Sequence, residues 1–356
     1  MKNNTLTALK GVKVGHSTHL DKLTGCTVIL FNKSHSVACA TYGGAVGAFN
    51  TEALKSGKTD YGMAGIFISG GSYTGLMSAA EIMECMRKDK VGPQVSGDVT
   101  VYNPALTGAI VYDQGMHLAP FDPKSGREAY ENASTKPVMR GNVGAGTGTS
   151  VGKFRWLKRG TLTGAMKAGV GCARVDIGGG IIVSALTVVN ALGNVVLPNG
   201  EILAGNRDEK NKFKMYDEVA DFVRGDPLNT TITVVGINVD LKAKEHYEKV
   251  AHLASHGQVR AINPVNLSAD GDTVFVFSTA ELKDPFNKRI DLFKEIKDNI
   301  NVQVDIIGNA AAKAVQESIY DACRQAETVE FAKAYKGVIP SAKDYSPDTM
   351  KGYFSA

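Results

Sequence analysis

The stretch GDPLNTTITVVGINVDL, residues 225–241, poses the question around which the rest of the sequence is organised. Its first three residues are a turn signal, and the β-branched run at residues 230–235 predicts a buried strand. A polar Asn229-Thr230-Thr231 nevertheless stands at the start of that strand. Three interpretations compete: a glycosylation acceptor, an ordinary strand start, or a peptide bond that the protein cuts in itself.

The composition of the 356 residues is that of a soluble globular protein, with 43% apolar and 21% charged residues. A net charge of +4 without a Lys/Arg cluster argues against a nucleic-acid partner. The most apolar stretch, residues 181–189, is about half the length of a membrane-spanning helix. We therefore expect no membrane association.

The first residues lack the apolar core of a signal peptide, and the five cysteines form no C-x-x-C pair. These features predict reduced thiols, a cytoplasmic location, and no metal or organic cofactor. The N-x-[ST] match at Asn229 is used only in a secreted protein, so glycosylation is the weakest of the three interpretations.

Strands and helices are interleaved along the chain, but many strands follow one another directly. This order predicts an α/β layered fold with a mixed sheet and argues against a regular βαβ array. Helices are predicted over about residues 73–87, 209–225 and 242–255, and a strand over 302–307 is predicted to lead into an Ala-rich helix. No domain boundary is visible.

Several motif matches fail on spacing. Val151 stands where the glycine-rich loop at residues 144–151 would need the last glycine of G-x-G-x-x-G. Thr74 stands where a G-x-S-x-G nucleophile elbow needs its second glycine, so Ser72 is predicted to begin a helix. The seven histidines show no H-E-x-x-H spacing, which argues against a metal site.

Four further residues have both an ordinary and a functional interpretation. Asp270 and Asp272 in SADGDT lie on one face of a short extended segment, and they form either a solvated turn or a carboxylate pair that orients a base or a lysine. Lys153, taken alone, is typical of a surface lysine. Asn190, in TVVNALG, is typical of a turn.

A threonine hydroxyl is a poor nucleophile without a base beside it, and the residue's own α-amino group can be that base. The pKa of an α-amine is about 7.7–8.0, against about 10.4 for lysine, so far more of it is neutral at pH 7. Thr230 has such an amine only if the Asn229–Thr230 bond is broken. Because threonine is also common at strand starts, the local sequence leaves both interpretations open.

Seven stretches in one order along the chain resolve this choice. They are VGHSTHLDKLTGCTVILF, YGGAVGAFNTEAL, IFISGGSYTGLMSA, AIVYDQ, GAGTGTSVGKF, LNTTITVVGINV and SADGDTVFVFST. Together, over about residues 11–326, they resemble the self-processing aminopeptidase family of L-aminopeptidase/D-esterases, β-peptidyl aminopeptidases and nylon-oligomer hydrolases. Asn-Thr-Thr-Ile and Asp-Gly-Asp-Thr are most similar to the nylon-oligomer branch, since the aminopeptidase branch usually has a serine nucleophile.

The resemblance implies a four-layer αββα sandwich, similar to N-terminal-nucleophile hydrolases but with different connectivity. A single domain over residues 1–356 would cut itself into an α chain, residues 1–229, and a β chain, residues 230–356, which stay folded together. The implied activity is hydrolysis of amide bonds in 6-aminohexanoate oligomers or similar short linear amides. The implied assembly is a homo-oligomer, a tetramer of αβ units.

The resemblance also implies a role for each matched residue. Thr230 matches the nucleophile, and the others are Tyr112 of the Tyr-Asp motif, Lys153 after the Gly-Ala-Gly loop, Asn190 as the oxyanion donor, and Asp270 and Asp272 as an acidic pair that would hold Lys153. The span from Lys153 to Asn190 is longer than in nylon-oligomer hydrolases, which makes Asn194 an alternative to Asn190. Leu228 stands where relatives have glycine.

Three other functions remain open. The first is an aminopeptidase or β-peptidyl aminopeptidase acting on short peptides. The second is an acyltransferase similar to ornithine acetyltransferase, which also uses a processed threonine and would transfer acyl groups to added amines without hydrolysis. The third is a non-enzymatic binding protein, which would run as an intact band on a denaturing gel.

Overall fold

The computed structural model describes residues 2–97, 99–113, 120–154, 164–208, 210–217, 221, 229–283, 286, 299–330 and 338–345. The α-helices in these ranges are α1 (Ser78–Lys88), α2 (Ser125–Glu131), α3 (Lys244–Ala261) and α4 (Ile300–Gln325). Short 3₁₀ helices lie at Leu6–Ala8, Glu52–Leu54, Ser72–Met77 and Gly144–Gly146. No helix among the described residues is long and apolar enough to cross a membrane.

The strands up to Val151 are β1 (Val12–His19), β2 (Thr24–His35), β3 (Val37–Thr41), β4 (Ala48–Phe49), β5 (Met63–Ser69), β6 (Gln94–Ser96), β7 (Thr100–Tyr102), β8 (Leu106–Ile110) and β9 (Ser150–Val151). The later strands are β10 (Met166–Lys167), β11 (Val170–Gly178), β12 (Ile181–Asn190), β13 (Asn194–Val196), β14 (Ile202–Ala204), β15 (Thr230–Val239), β16 (Ile262–Asn263), β17 (Thr273–Leu282), β18 (Val329–Glu330) and β19 (Val338–Ile339).

Two five-stranded mixed sheets form the centre of the molecule. The first has the order β1-β2-β5-β8-β4 and the second the order β11-β12-β15-β17-β3. In each sheet one central pair is parallel, β5 with β8 and β15 with β17, and the other pairs are antiparallel. The chain passes from the first sheet to the second at Ser36, between β2 and β3.

Helices cover the outer face of each sheet, which makes four layers. Helices α1 and α2 pack on the first sheet, and α3 and α4 pack on the second. One apolar cluster fills the space between the sheets, joining Ile29 and Ile66 of the first to Leu186 and Phe275 of the second. The predicted αββα sandwich with a mixed sheet is confirmed.

Strand β15 is buried along its whole length because it lies between two neighbours and two layers. Ile232 and Val234 belong to the cluster between the sheets, and Val235 and Ile237 belong to the cluster under α3 and α4. A strand covered on both faces is expected to be a continuous apolar run rather than an alternating one. The predicted buried strand at the start of this run is confirmed.

One predicted strand is wrong, and one predicted helix is wrong over residues 210–217. Residues 302–307 belong to helix α4, because Val304, Ile307 and Ala311 recur at helical spacing and are buried on one side. The described part of the helix predicted over 209–225 is not helical, since Phe213 forms a bridge with Arg207 across a turn. Residues 209, 218–220 and 222–225 lie outside the described part of the chain.

Other helix predictions differ at their ends. The helix predicted at residues 73–87 begins as the 3₁₀ turn Ser72–Met77 and continues as α1, so Ser72 does begin a helical segment. The helix predicted at residues 242–255 is α3 and extends to Ala261. The predicted end of this helix rested on local signals alone. Helix α3 continues past Ser255 and Gly257 because its buried face continues to Ala261.

Candidate active site

Strand pairing places Asn190 and Thr230 side by side. Strands β12 and β15 are antiparallel, with Asn190 directly opposite Thr230 at their ends. Because side chains alternate along a strand, these two share the face of Val188 and Ile232, which meets the first sheet. Thr230 is 3% and Asn190 1% exposed, so both are held in a site closed to bulk water.

The parallel neighbour of β15 brings the acidic segment to the same place. Ile232 pairs with Thr273, and a bridge between Asn229 and Asp270 extends that register back to the start of the strand. Gly271 therefore lies beside Thr230. A Cβ at Gly271 would lie 3.1 Å from both Oγ1 and Cγ2 of Thr230, so a side chain at this position would crowd the Thr230 side chain.

The Thr230 hydroxyl contacts the bond that precedes it. Its Oγ1 donates a hydrogen bond of 2.5 Å to the carbonyl oxygen of Asn229. Asn229 is itself only 2% exposed, and its backbone N–H donates to the carbonyl of Ala269. The carbonyl and the hydroxyl are thus held together in a buried, ordered backbone. Leu228, on the other side of Asn229, lies outside the described residues.

Lys153 reaches Asn190 from a segment that runs beside residues 190–193. Its backbone N–H donates to Leu192, and its ammonium donates to the backbone oxygen of Asn190 at 3.0 Å and to Oδ1 at 2.9 Å. Lys153 is 3% exposed, so the surface-lysine interpretation is wrong. The Ser150 N–H also donates to Asn190 Oδ1.

Tyr112 enters the site through its main chain. Its carbonyl oxygen accepts a hydrogen bond of 2.7 Å from Asn190 Nδ2, and its side chain is half-buried. Because donors hold Oδ1 and this acceptor holds Nδ2, the amide of Asn190 has one orientation. Asn190 ends a buried strand, so the turn interpretation of this residue is wrong.

The acidic pair is buried, so the solvated-turn interpretation is also wrong. Asp270 and Asp272 are each 2% exposed. Asp270 Oδ2 accepts from the Leu267 N–H, and Asp272 accepts from the Thr231 and Asn266 N–H groups. Burial raises the pKa of both carboxyls, and burial together with the charge of Asp270 raises that of Asp272 to about 7.

The sequence predicted that Asp270 and Asp272 would hold Lys153. The hydrogen bonds of the lysine ammonium described above go to Asn190, and its charge lowers the pKa of Asp270, which limits the rise caused by burial. Backbone amides contact both carboxylates, and the charge of Lys153 acts on Asp270. Lys153 joins it to Asn190 electrostatically.

Asp113, which the sequence analysis did not select, lies next to this group. It is 2% exposed, and it accepts hydrogen bonds from Thr24 Oγ1 at 2.6 Å and from the Gly71 N–H at 2.8 Å. Burial raises its pKa to about 6, although these hydrogen bonds and the charge of Lys153 lower it. The only sequence signal was its place after Tyr112 in AIVYDQ.

Lys167 is a second unpredicted residue, fully buried on strand β10. Its ammonium donates to the carbonyls of Gly146 and Ala168, so it supports the glycine-rich loop that leads to Ser150. Burial lowers its pKa to about 7. Cys323 and, to a smaller extent, Asp113 act in the opposite direction and raise it. Nothing in the local sequence distinguishes it from a surface lysine.

Asn194, the alternative to Asn190, has a different role. Its Nδ2 donates to the carbonyl of Lys214, and its Oδ1 accepts from the Asn206 N–H at 2.7 Å. Both ends of the amide thus join strands and loops away from Thr230. Among the described residues, no group of three His, Cys, Asp or Glu side chains could hold a metal ion.

The fold and site define an amide hydrolase: a hydroxyl lies against a carbonyl, with an orientated amide, a lysine and an acidic pair beside it. The chain belongs to peptidase family S58, whose model matches residues 4–336. An uncharacterized aminopeptidase of Mycobacterium leprae is 27% identical over 364 residues, covering 95% of each chain. The 6-aminohexanoate-oligomer endohydrolase of Paenarthrobacter ureafaciens is 26% identical over 328 residues, covering 88% of this chain and 84% of that one.

Two solved structures have the same fold. The L-aminopeptidase D-Ala-esterase/amidase of Ochrobactrum anthropi, described as a new variant among the Ntn hydrolase fold, superposes with a TM-score of 0.66 at 18% identity. The alignment covers 95% of this chain and 91% of that one. A Burkholderia beta-aminopeptidase superposes with a TM-score of 0.64 at 18% identity, covering 96% and 90%.

Proposed function

We propose that the chain cuts itself between Asn229 and Thr230 and then acts as an N-terminal-threonine amide hydrolase. The observation that carries this proposal is the contact of the Thr230 hydroxyl with the Asn229 carbonyl, 2.5 Å away, inside a buried polar site. A threonine at an ordinary strand start needs none of the buried lysine, asparagine and carboxylates around it. Burying such groups costs free energy, which only hydrogen bonds and charge pairing reduce.

In the processed enzyme, the new α-amine of Thr230 is the base. Oγ1 attacks the substrate carbonyl while the amine takes its proton, and the oxyanion is stabilised by Asn190, whose second Nδ2 hydrogen is not needed for the Tyr112 carbonyl. The departing amine receives the proton. Water, activated by the same α-amine, then cleaves the ester on Oγ1.

The sheet topology supports the proposal that residues 1–229 and 230–356 stay together after cleavage. Strand β15 pairs with β12, and β17 pairs with β3. The second sheet is therefore built from both fragments, and they cannot separate without opening two buried strand pairs. Cleavage would break the peptide bond but leave the two fragments folded together.

The first prediction tests the self-cleavage. Purified protein should give two masses, for residues 1–229 and 230–356, and the smaller fragment should begin at Thr230. Thr230→Ala should stay at full length and be inactive, because it lacks the hydroxyl that contacts the Asn229 carbonyl. Thr230→Ser should cut and hydrolyse, more slowly, because serine lacks the methyl group that restricts χ1.

Thr231→Ala is the matched control, because the neighbouring hydroxyl points to the opposite face of the strand. It should process normally. A fragment that begins elsewhere, or an uncut Thr230→Ala protein with full hydrolytic activity, would overturn the proposed mechanism. An intact wild-type chain without activity would favour a binding protein.

For substrate, we propose 6-aminohexanoate oligomers or similar short linear amides. The support is the match of Thr230 and the Asp270-Gly271-Asp272 segment to the nylon-oligomer branch. Release of new amino groups from the linear oligomers should be compared with release from short peptides and p-nitroanilides of small amino acids, with Thr230→Ala as the blank. Turnover of the peptides alone would exclude the oligomers.

An aminopeptidase is the second candidate. The relatives that cover 95% of this chain are described as uncharacterized aminopeptidases, whereas the nylon hydrolases cover 88%. The same panel distinguishes the two substrates. Adding a free amine to the assay tests for acyl transfer, which would appear as a new amide without net hydrolysis.

The proposed assembly is a homo-oligomer in the cytoplasm, a tetramer of αβ units. Support comes only from the family resemblance. Light scattering on the purified protein measures the mass directly, and a mass near 37.8 kDa would show a monomer.

A further inference from the structure

The carbonyl oxygen of Asn229 accepts hydrogen bonds from two groups in the described part of the chain. One is the Thr230 hydroxyl, and the other is the backbone N–H of Gly271, at 2.7 Å. This carbonyl belongs to the peptide bond that the proposed self-cleavage breaks. Before any reaction, the Gly271 amide is therefore already hydrogen-bonded to the oxygen on which negative charge would develop.

The register of the second sheet directs the Gly271 N–H toward the Asn229 carbonyl. Strands β15 and β17 are parallel, and the bridge between Asn229 and Asp270 keeps the register of their first pair, Ile232 with Thr273. The Gly271 N–H thus makes a ladder hydrogen bond to Asn229. The carbonyl that accepts this strand-pairing hydrogen bond is the one that reacts. Formation of the sheet therefore places the Gly271 N–H against it before any chemistry begins.

The loop that carries Gly271 is fixed on both sides. The Asp270 carbonyl accepts from the Ala45 N–H at 2.9 Å, and the Asp272 carbonyl accepts from the Tyr42 N–H at 3.1 Å. The Gly271 carbonyl accepts from Thr273 Oγ1. A donor on such a support does not have to reorganise when charge develops on the carbonyl oxygen, which is the condition for effective oxyanion stabilisation.

In the uncut chain, the hydrogen bonds of the Asn190 side chain go to groups other than the Asn229 carbonyl. Its Nδ2 donates to the Tyr112 carbonyl at 2.7 Å, and its Oδ1 accepts from Lys153 and Ser150. The amide that contacts the Asn229 carbonyl is that of Gly271.

We propose that the backbone amide of Gly271 is the oxyanion donor of the self-cleavage step; this inference rests on the proposed function. Thr230 Oγ1 attacks the Asn229 carbonyl carbon, a C–O bond forms, and the negative charge on the carbonyl oxygen is held by the Gly271 N–H. The C–N bond then breaks, and the proton that left Oγ1 is delivered to the departing nitrogen. Water hydrolyses the resulting ester to the Asn229 carboxylate and the Thr230 hydroxyl.

The same donor serves substrate hydrolysis. The ester formed with substrate is attached to the same Oγ1 as the ester formed in self-cleavage, so its carbonyl occupies the position that the Asn229 carbonyl leaves. The Gly271 amide, freed when Asn229 becomes a carboxylate end, then faces the substrate carbonyl, with Asn190 as the second donor.

An amide-to-ester replacement tests this. Glycolic acid in place of Gly271, introduced by cell-free translation, removes the N–H and keeps the chain shape. Self-cleavage, followed on a denaturing gel, should slow about 10²–10³-fold, the usual loss on removing one oxyanion donor. Lactic acid in place of Ala45 is the matched control, because it removes a hydrogen bond to the same loop but not to the Asn229 carbonyl. The control should cut within a few-fold of the wild-type rate.

Each outcome decides the matter. A Gly271 ester chain that stays at full length and resists protease as well as Thr230→Ala supports the inference. One that cuts at the wild-type rate, or no more slowly than the Ala45 ester, overturns it while leaving the proposed function intact. A protease-sensitive Gly271 ester chain also overturns it, because the hydrogen bond would then serve folding. Failure of the wild-type chain to cut would instead refute the proposed function.

Discussion

Asn190 and Asn194 are four residues apart and equally buried, yet they lie in different surroundings. Asn190 ends strand β12 opposite Thr230, whereas Asn194 begins β13 opposite Asn263. The sequence offered both as oxyanion donors. Their hydrogen-bond partners separate them, since those of Asn190 are site residues and those of Asn194 are loop backbone.

A matched pair of variants checks this difference. Asn190→Ala should lower kcat by about 10²–10³-fold, as expected for the loss of an oxyanion donor, with a smaller change in KM. Asn194→Ala should lose about 1–3 kcal/mol of unfolding free energy, because two buried backbone groups lose their partner. Its kcat should change little. Steady-state kinetics and urea unfolding measure the two effects, and a kcat loss confined to Asn194→Ala would reverse the assignment.

At the scale of elements, β15 supports both the core and the site. Its side chains alternate between the cluster shared by the two sheets and the cluster under α3 and α4, and its first residue is the proposed nucleophile. Any shift of β15 against β12 or β17 would separate Thr230 from Asn190 and from Gly271. Close packing on both faces prevents that shift, because a one-residue slip would exchange the two sets of side chains.

Ile232→Ala should therefore destabilise the protein by about 2–5 kcal/mol, since it leaves a cavity in the space between the sheets. The measurement is urea unfolding in the Thr230→Ala background, where the chain is expected to be intact. Val259→Ala, on the exposed side of α3 at 54% exposure, is the control and should change stability by about 0.5 kcal/mol or less. Similar losses in both variants would contradict the packing described here.

At the scale of the whole molecule, buried ionisable side chains gather where the layers meet. Three are carboxylates and two are lysines: Asp113, Asp270, Asp272, Lys153 and Lys167. When all are ionised, the carboxylates exceed the lysines by one charge. Self-cleavage would leave this excess unchanged, because the new carboxylate of Asn229 offsets the new α-ammonium of Thr230.

The charge on Asp113 can be followed through the pH dependence of the unfolding free energy. Burial raises its pKa from the ordinary 3.8 to about 6, so between these values the folded protein binds more protons than the unfolded chain. Its contribution to stability should therefore fall as pH rises from about 4 to about 6 and stay constant above that. Asp113→Asn should remove this dependence, because asparagine can still accept from Gly71 and donate to Thr24.

The measurement is the difference in unfolding free energy between the Thr230→Ala protein and its Asp113→Asn derivative, followed from pH 4.5 to 7.5. The buried His16 and His35 cancel in that difference. Lys167 does not, because the charge of Asp113 raises its pKa, which is about 7, so the contribution of Asp113 itself is read below pH 6. A difference that is flat with pH would show that Asp113 is ionised throughout, with a pKa near that of an exposed aspartate.

The sequence by itself determined the strand at Thr230, the mixed layered fold and, through the family resemblance, the residues brought together at the site. These follow from patterns local to the chain: a β-branched run after a turn signal, and short motifs in a fixed order. Lys153 and the acidic pair were accessible in this way because each lies in such a motif, whereas Asn190 lies in none of the seven stretches and had Asn194 as an alternative.

Only the tertiary structure decided the rest. Residues 302–307 have strand-forming side chains but become helix because their buried face packs at helical spacing with Ala311. Asp113 and Lys167 resemble surface charges in sequence, and burial between layers shifts their pKa values. The choice of Asn190 over Asn194, and the Gly271 amide on the Asn229 carbonyl, depend on strand register, which is fixed by partners distant in sequence and so is not encoded in any local pattern.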